Sequence, residues 1–227
     1  MKLFNISFRE ALQKINSGFT LMLDATQEPI KSNRQLAQAT PKFEIKRKQF
    51  NDAEQGFWLK FGIDEQTLKR FNVSSLEEFS TTSKIGNPYT TKSSSDKFIF
   101  AYENDNWVKL YKPLDEKKYK FQYLGTKEQG FIFGWKQLPE NGELLIITGG
   151  EKDVMTLAAK GFNAITLNSE TATLLKSIVD ELKLRFKTIL VLYDNDETGL
   201  KQSNILAVAH GLHRLVLSTL QNNGKDI

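Results

Sequence analysis

The sequence predicts an α/β protein. A four-stranded, mainly parallel sheet flanked by helices is expected over residues 143–227, preceded by a smaller mixed α+β subdomain that is basic on balance. Three observations carry this. From residue 143 apolar runs of strand length alternate with helical stretches in the order βαβαβαβ, the mark of a parallel sheet with helices on its faces. Two of those runs, Leu144–Thr148 and Thr188–Tyr193, end in acid-rich turns before a helix. Residues 97–135 instead carry short aromatic and β-branched runs separated by turn residues, which read as an antiparallel meander.

The elements follow in order. Ser7 and Glu10 make a capping box, Phe8, Leu12 and Ile15 keep helical spacing, and Gly18 stops the helix. Residues 24–48 are polar and lysine-rich with two prolines, and read as a linker. Phe57, Trp58 and Phe61 lie on a second helix, followed by Asp64 as a cap and Leu68 and Phe71 beyond it. Their helical spacing makes them core residues rather than a base-stacking platform. Ser75 and Glu78 form a further capping-box pattern, and residues 80–95, with nine Ser or Thr, read as a flexible connection. Strands are expected at Lys97–Tyr102, Trp107–Lys112, Tyr119–Leu124 and Phe131–Trp135.

In the last part, strand Leu144–Thr148 leads to helix Glu151–Lys160, strand Ala164–Leu167 to helix Thr171–Leu184, and strand Thr188–Tyr193 to helix Glu197–Ala209. Strand Arg214–Ser218 closes the sheet. Ile189–Leu192 shows no polar alternation, so that strand is buried on both faces and central. The resulting domains are 1–40, a helical segment and linker; 41–142, the basic α+β part; and 143–227, the α/β part.

Bulk properties exclude several classes. No apolar stretch approaches the ~20 residues that span a bilayer. The absence of cysteine rules out a disulfide, a thiolate nucleophile and cysteine-ligated zinc in this chain, and fits a cytoplasmic protein. Residues 1–140 hold 22 Lys and Arg against 17 Asp and Glu, whereas residues 141–227 hold 9 against 10. The basic character therefore lies in the first part, where Lys109, Lys112, Lys117, Lys118 and Lys120 suit a polyanion or a solubilising surface.

The acids define the candidate chemistry. In a parallel sheet both acid-tipped strands end at one edge, where open α/β sheets bind ligands. Asp194 and Asp196 lie two apart, as do Glu151 and Asp153. Gly149-Gly150 permits close approach of backbone to ligand, and the following helix offers free N–H groups to an anion. A hard divalent cation such as Mg²⁺, or Mn²⁺ in its place, accepts a few carboxylates together with substrate phosphates. Lys152 stands beside these acids as a candidate phosphate ligand. The alternative for each acid is a helix cap, which suits Glu197 best. The string Asp194–Thr198 also fits the pattern of haloacid-dehalogenase-type phosphatases, but two βα units precede it here. His210 and His213 are three apart at a helix end and suit capping or the surface.

Residues 143–227 resemble the TOPRIM domain shared by bacterial and phage primases, topoisomerases, some nucleases and recombination proteins. The matching pieces are Gly150-Glu151-Lys152-Asp153, Asn163–Asn168 and Tyr193–Gly199. Residues 57–73 and 98–138, the latter with Tyr111-Lys112 and Phe133-Gly134-Trp135, resemble the parts that phage-type primases place before TOPRIM. Residues 4–16 resemble the tail of the zinc-binding domain that starts a bacterial-type primase. Together these single out primase, since a topoisomerase also needs a tyrosine nucleophile on another domain.

The resemblance implies Mg²⁺-dependent synthesis of short RNA primers on single-stranded DNA from ribonucleoside triphosphates, with a replicative helicase as partner. It implies Glu151, Asp194 and Asp196 as catalytic residues. Glu151, Asp153, Asp194, Asp196 and Asp226 become metal ligands, and Lys109, Lys112, Lys118, Lys120 and Lys152 contacts to nucleic acid or nucleotide. Three departures stand out. Gly149 occupies the place of the family's usual glutamate, with Glu151 the nearest carboxylate; the zinc-binding cysteines are absent; and Asp226 matches only the first acid of a last acidic motif. The chain thus also reads as a fragment of a longer primase or primase-helicase. A metal-dependent nuclease and a non-catalytic single-stranded nucleic-acid-binding module remain the alternatives.

Overall fold

The computed structural model describes residues 43–83, 85–167 and 172–217. The expected helix at 7–18, Asn168 and Asp226 lie outside these residues.

Alternating side chains and β-branched residues build the first sheet. Its strands are β1 (Glu44–Lys48), β2 (Val73–Thr82), β3 (Pro88–Lys92), β4 (Phe100–Glu103), β5 (Trp107–Tyr111) and β6 (Phe121–Gly125). The order is β1-β2-β4-β5-β6, with β3 pairing the far half of β2, and every pairing is antiparallel. Helices α1 (Asp52–Leu59) and α2 (Glu65–Arg70) lie between β1 and β2 in sequence.

Several expectations are corrected here. Residues 44–48 are not linker but a strand, because β2 offers them a paired edge from Glu44↔Ser80 to Lys48↔Ser75. Ser75 and Glu78 do not cap a helix; they sit within β2, where pairing on both sides outweighs the local capping pattern. The Ser/Thr-rich stretch 80–95 is mostly a hairpin. Its threonines suit strands, and the turn is confined to the residues between β2 and β3. Phe131–Trp135 is not a strand either. Gly134 takes φ +90°, which breaks an extended run, and a 3-10 turn follows at Trp135–Gln137. Only Phe133 pairs, bridging Thr166 through two backbone hydrogen bonds of 3.0 Å. A Cβ on Gly134 would lie 2.6 Å from the Ala164 carbonyl oxygen, so glycine allows this close approach.

The α/β part follows the predicted order. It consists of β7 (Gly142–Thr148), α3 (Glu151–Ala159), β8 (Asn163–Thr166), α4 (Lys176–Arg185), β9 (Phe186–Leu192), α5 (Glu197–His210) and β10 (His213–Arg214). The strand order is β10-β9-β7-β8, all parallel, with β9 and β7 central as the apolar runs require. Helix α4 starts five residues later than expected, because Leu174 leaves the helical path for the core. No helix among the described residues is long and apolar enough to cross a membrane.

One apolar cluster joins the two sheets. Trp58, Phe71, Phe100, Tyr102 and Tyr111 from the first part pack with Ile146, Val154, Met155 and Leu192 from the second. Of the aromatics expected on this helix, Trp58 is fully buried and lies 4.9 Å from Phe100, ring to ring, whereas Phe57 and Phe61 are half-buried against the cluster and Phe61 lies beyond the end of α1.

A buried carboxylate pins α1 to this sheet. Asn51 and Glu54 form a capping box, and Glu54 Oε1 also accepts from Ser75 Oγ at 2.9 Å and pairs with Lys48 Nζ at 2.8 Å. Glu54 is wholly buried, so removing Lys48 leaves its charge without a cation. Lys48→Met is expected to cost about 3 kcal/mol in urea unfolding. A loss under about 0.5 kcal/mol would show that the pair behaves as a surface ion pair.

Candidate active site

The register of β7 and β9 sets the geometry. Thr148 pairs with Leu192, so both strands leave the sheet at one level. Gly149-Gly150 and Tyr193-Asp194 therefore emerge side by side at the carboxyl edge, on strands about 4.8 Å apart. The two acid-tipped turns share one edge.

Helix α3 starts at Glu151 with Gly150 as N-cap and no side-chain cap. Glu151 and Asp153 occupy its first turn, where the helix dipole favours negative charge. Asp153 Oδ2 lies 3.2 Å from where a Cβ on Gly150 would sit, so the missing side chain leaves room for that carboxylate.

Glu151 is ion-paired to Lys109 Nζ, which reaches across from β5 of the other sheet. Both side chains are largely buried, with 15% and 10% of their surface exposed. The Lys109 ammonium also lies 4.5 Å from the centroid of the Phe121 ring and 5.9 Å from that of Tyr123, contacts that compensate part of its lost hydration. Tyr102, directly opposite Lys109 on β4, is buried. Burial first, and then the neighbouring Glu151, Tyr111 and Asp153, push its phenol pKa well above the usual tyrosine value. Tyr102 is therefore a neutral hydroxyl beside the acids at neutral pH.

Asp194 follows β9 and is half-buried. Its backbone is clamped by α5: a Cβ on Gly199 would lie 2.2 Å from the Asp194 carbonyl oxygen. Asp196 is exposed and serves as the N-cap of α5, accepting from Gly199 N at 2.8 Å. Asn195 Nδ2 donates to the Leu217 carbonyl at 2.7 Å, which ties the turn to the chain beyond β10.

The lysines divide. Lys109 joins the acids, whereas Lys152 turns to the residues just after α1, its ammonium 4.0 Å from the centroid of the Phe61 ring. Lys112 lies near Gln122 and Asp115, and exposed Lys118 covers the Tyr119 ring at 4.7 Å and pairs with Glu116. Lys120 is half-buried just before β6, where its carbonyl accepts from Lys112 N. His210 uses its carbonyl to accept from Lys183, and His213 is exposed. Sequence reasoning missed Tyr102, Phe121 and Tyr123. Their signal was period-two alternation along β4 and β6, which places them on the face that carries Lys109.

Among the described residues, no three acids or histidines converge into a metal cage. The donors at this edge are hard oxygens, which suits Mg²⁺ or Mn²⁺ held by one or two carboxylates with phosphates and waters completing the shell. Asp153 and Asp194 are the residues that would hold such an ion, with Asp196 at the rim.

No family model matches the sequence, and no curated protein matches it. In structure the chain is similar to primase catalytic cores, whose fold it shares. It matches the DnaG primase catalytic domain bound to single-stranded DNA with a TM-score of 0.54 and 14% identity, covering 94% of this chain and 75% of that one. It matches the E. coli primase catalytic core with a TM-score of 0.53 and 14% identity, covering 76% of this chain and 67% of that one.

Gly199→Ala tests the clamp on Asp194. The added methyl cannot fit without moving the turn, so a loss of about 1–3 kcal/mol in urea unfolding is expected. Unchanged stability would mean that the turn has slack and that Asp194 is not held by α5.

Proposed function

We infer that the chain is the catalytic core of a DNA primase, joining ribonucleotides on a single-stranded DNA template with Mg²⁺ or Mn²⁺. The observation that carries this is the Lys109–Glu151 contact, which sets a lysine-bearing sheet directly against the acidic edge of a TOPRIM sheet. The DnaG catalytic domain that shares this fold is bound to single-stranded DNA, which supports the choice of template.

The reaction proposed is attack of a ribonucleotide 3′-hydroxyl on the α-phosphorus of the next triphosphate. The new P–O bond forms as the bond to the bridging oxygen breaks. Pyrophosphate leaves with the electron pair, and the hydroxyl proton passes to solvent. A bound divalent ion would neutralise charge on the phosphates. Asp194 and Asp153 would orient that ion, with Glu151 and Asp196 beside them. Lys109 offsets the charge of Glu151 where the triphosphate's negative charge gathers, in a partly desolvated setting. Lys112, Lys118 and Lys120 lie farther out and suit the template backbone. A replicative helicase is the partner such a core would serve.

A second reading is favoured by Gly149. It stands where the resembled family carries glutamate, and among the described residues no three acids converge. A chain that binds single strands without catalysis accounts for both.

Single-stranded DNA, ribonucleoside triphosphates and Mg²⁺ distinguish the two. The wild type is expected to make short RNA, with Asp194→Ala lowering the yield at least about 100-fold, the scale of removing one preorganised electrostatic group. Binding without RNA supports the second reading, and degraded DNA a nuclease.

A further inference from the structure

The outer edge of the six-stranded sheet carries a feature that primer synthesis does not require. Among the described residues, strand β6 pairs only with β5. On one face it shows Phe121 and Tyr123, exposed over 49% and 40% of their surface. Exposed rings on an edge strand are an aggregation hazard that folded proteins usually blunt. Here they are held in place instead. Phe121 stacks on Tyr111 with ring centroids 5.2 Å apart and planes at 14°. Tyr123 packs against Trp107 at 5.9 Å.

Lysines accompany the rings. Lys109 lies over Phe121, and Lys127 lies 4.5 Å over Tyr123 with its ammonium 3.3 Å from the Tyr123 hydroxyl. Residues 109–136 contain seven lysines against three acids, so the surroundings are strongly positive. Because Lys109 also pairs with Glu151, the row begins at the acidic edge and runs outward from it.

Fixed aromatic faces combined with a positive rim are what a single-stranded nucleic acid requires. Any base stacks on a ring, and lysines match the backbone. We propose that Phe121 and Tyr123 form a base-stacking shelf for the single strand approaching the acidic edge, with Lys127 and Lys118 meeting its phosphates. The proposal rests on the primase reading for the identity of its ligand. The rings are already ordered by Tyr111 and Trp107, so stacking costs little further side-chain entropy.

The test measures binding of a labelled oligothymidylate of about 15 nucleotides to the full chain across a salt series. Phe121→Ala and Tyr123→Ala are each expected to weaken binding about 5- to 100-fold without changing the salt dependence. Tyr123→Trp is expected to retain binding. Lys127→Ala is expected to reduce the slope of log K against log salt by about 0.7, the value for one phosphate contact on a single strand.

A matching abasic strand controls for misfolding. It should bind the wild type and both alanine variants equally, since it has no bases to stack. Equal affinity of the wild type for the base-bearing and abasic strands would overturn the shelf. So would wild-type binding by both alanine variants, or dimerisation through β6 that the same substitutions abolish. These readouts need no primer synthesis. RNA made at wild-type rates by variants that also bind normally would sink the shelf alone, whereas ring-dependent binding without RNA would sink only the primase reading.

Discussion

The Lys109–Glu151 pair is the constraint around which the site is arranged. It joins strand β5 of the antiparallel sheet to the first turn of a helix on a parallel one. Burying both charges is costly, and the cost is offset by their mutual attraction, by the ring of Phe121 over the ammonium and by the favourable dipole at the start of α3. Removing either partner leaves the other largely buried without its counter-charge. The pair therefore fixes where the basic sheet meets the acidic edge, with Tyr102 directly opposite Lys109.

Absent side chains shape the rest of the edge. Gly150 leaves space for Asp153, Gly199 lets α5 press onto the backbone of Asp194, and Gly134 lets the Phe133 bridge cover the outer strand β8. Gly149 differs in kind. It stands where the resembled family has a carboxylate, and Glu151, two residues later, is engaged by a lysine from another sheet. A site with its first acid already neutralised holds less negative charge than the acid count of the sequence suggests.

Much of the α/β part was legible because its signals are local. Uninterrupted apolar strands, acid tips and Gly161 and Gly211 as helix stops each act within a few residues. The first sheet was harder. Residues 44–48 and 88–92 are polar, and become strands only because β2 pairs with both. Ser75 and Glu78 mimic a cap that pairing overrides. Within the site, Asp194 was readable from the apolar run before it, whereas the role of Lys109 was not. A lysine count places it on a basic surface, and only the packing of β5 against α3 turns it inward onto Glu151. Asp196 caps α5 through one oxygen, a role the sequence also allowed beside the metal contact expected of it.

The central claim is that Lys109 and Glu151 act as one unit between the sheets. A double-mutant cycle measures this directly, with Lys109→Met, Glu151→Gln and the combined variant followed by urea unfolding. Each single change is expected to cost about 3 kcal/mol, and the pair together clearly less than the sum, giving a coupling of about 1.5 kcal/mol or more. Additive losses, with coupling within about 0.5 kcal/mol of zero, would contradict the account.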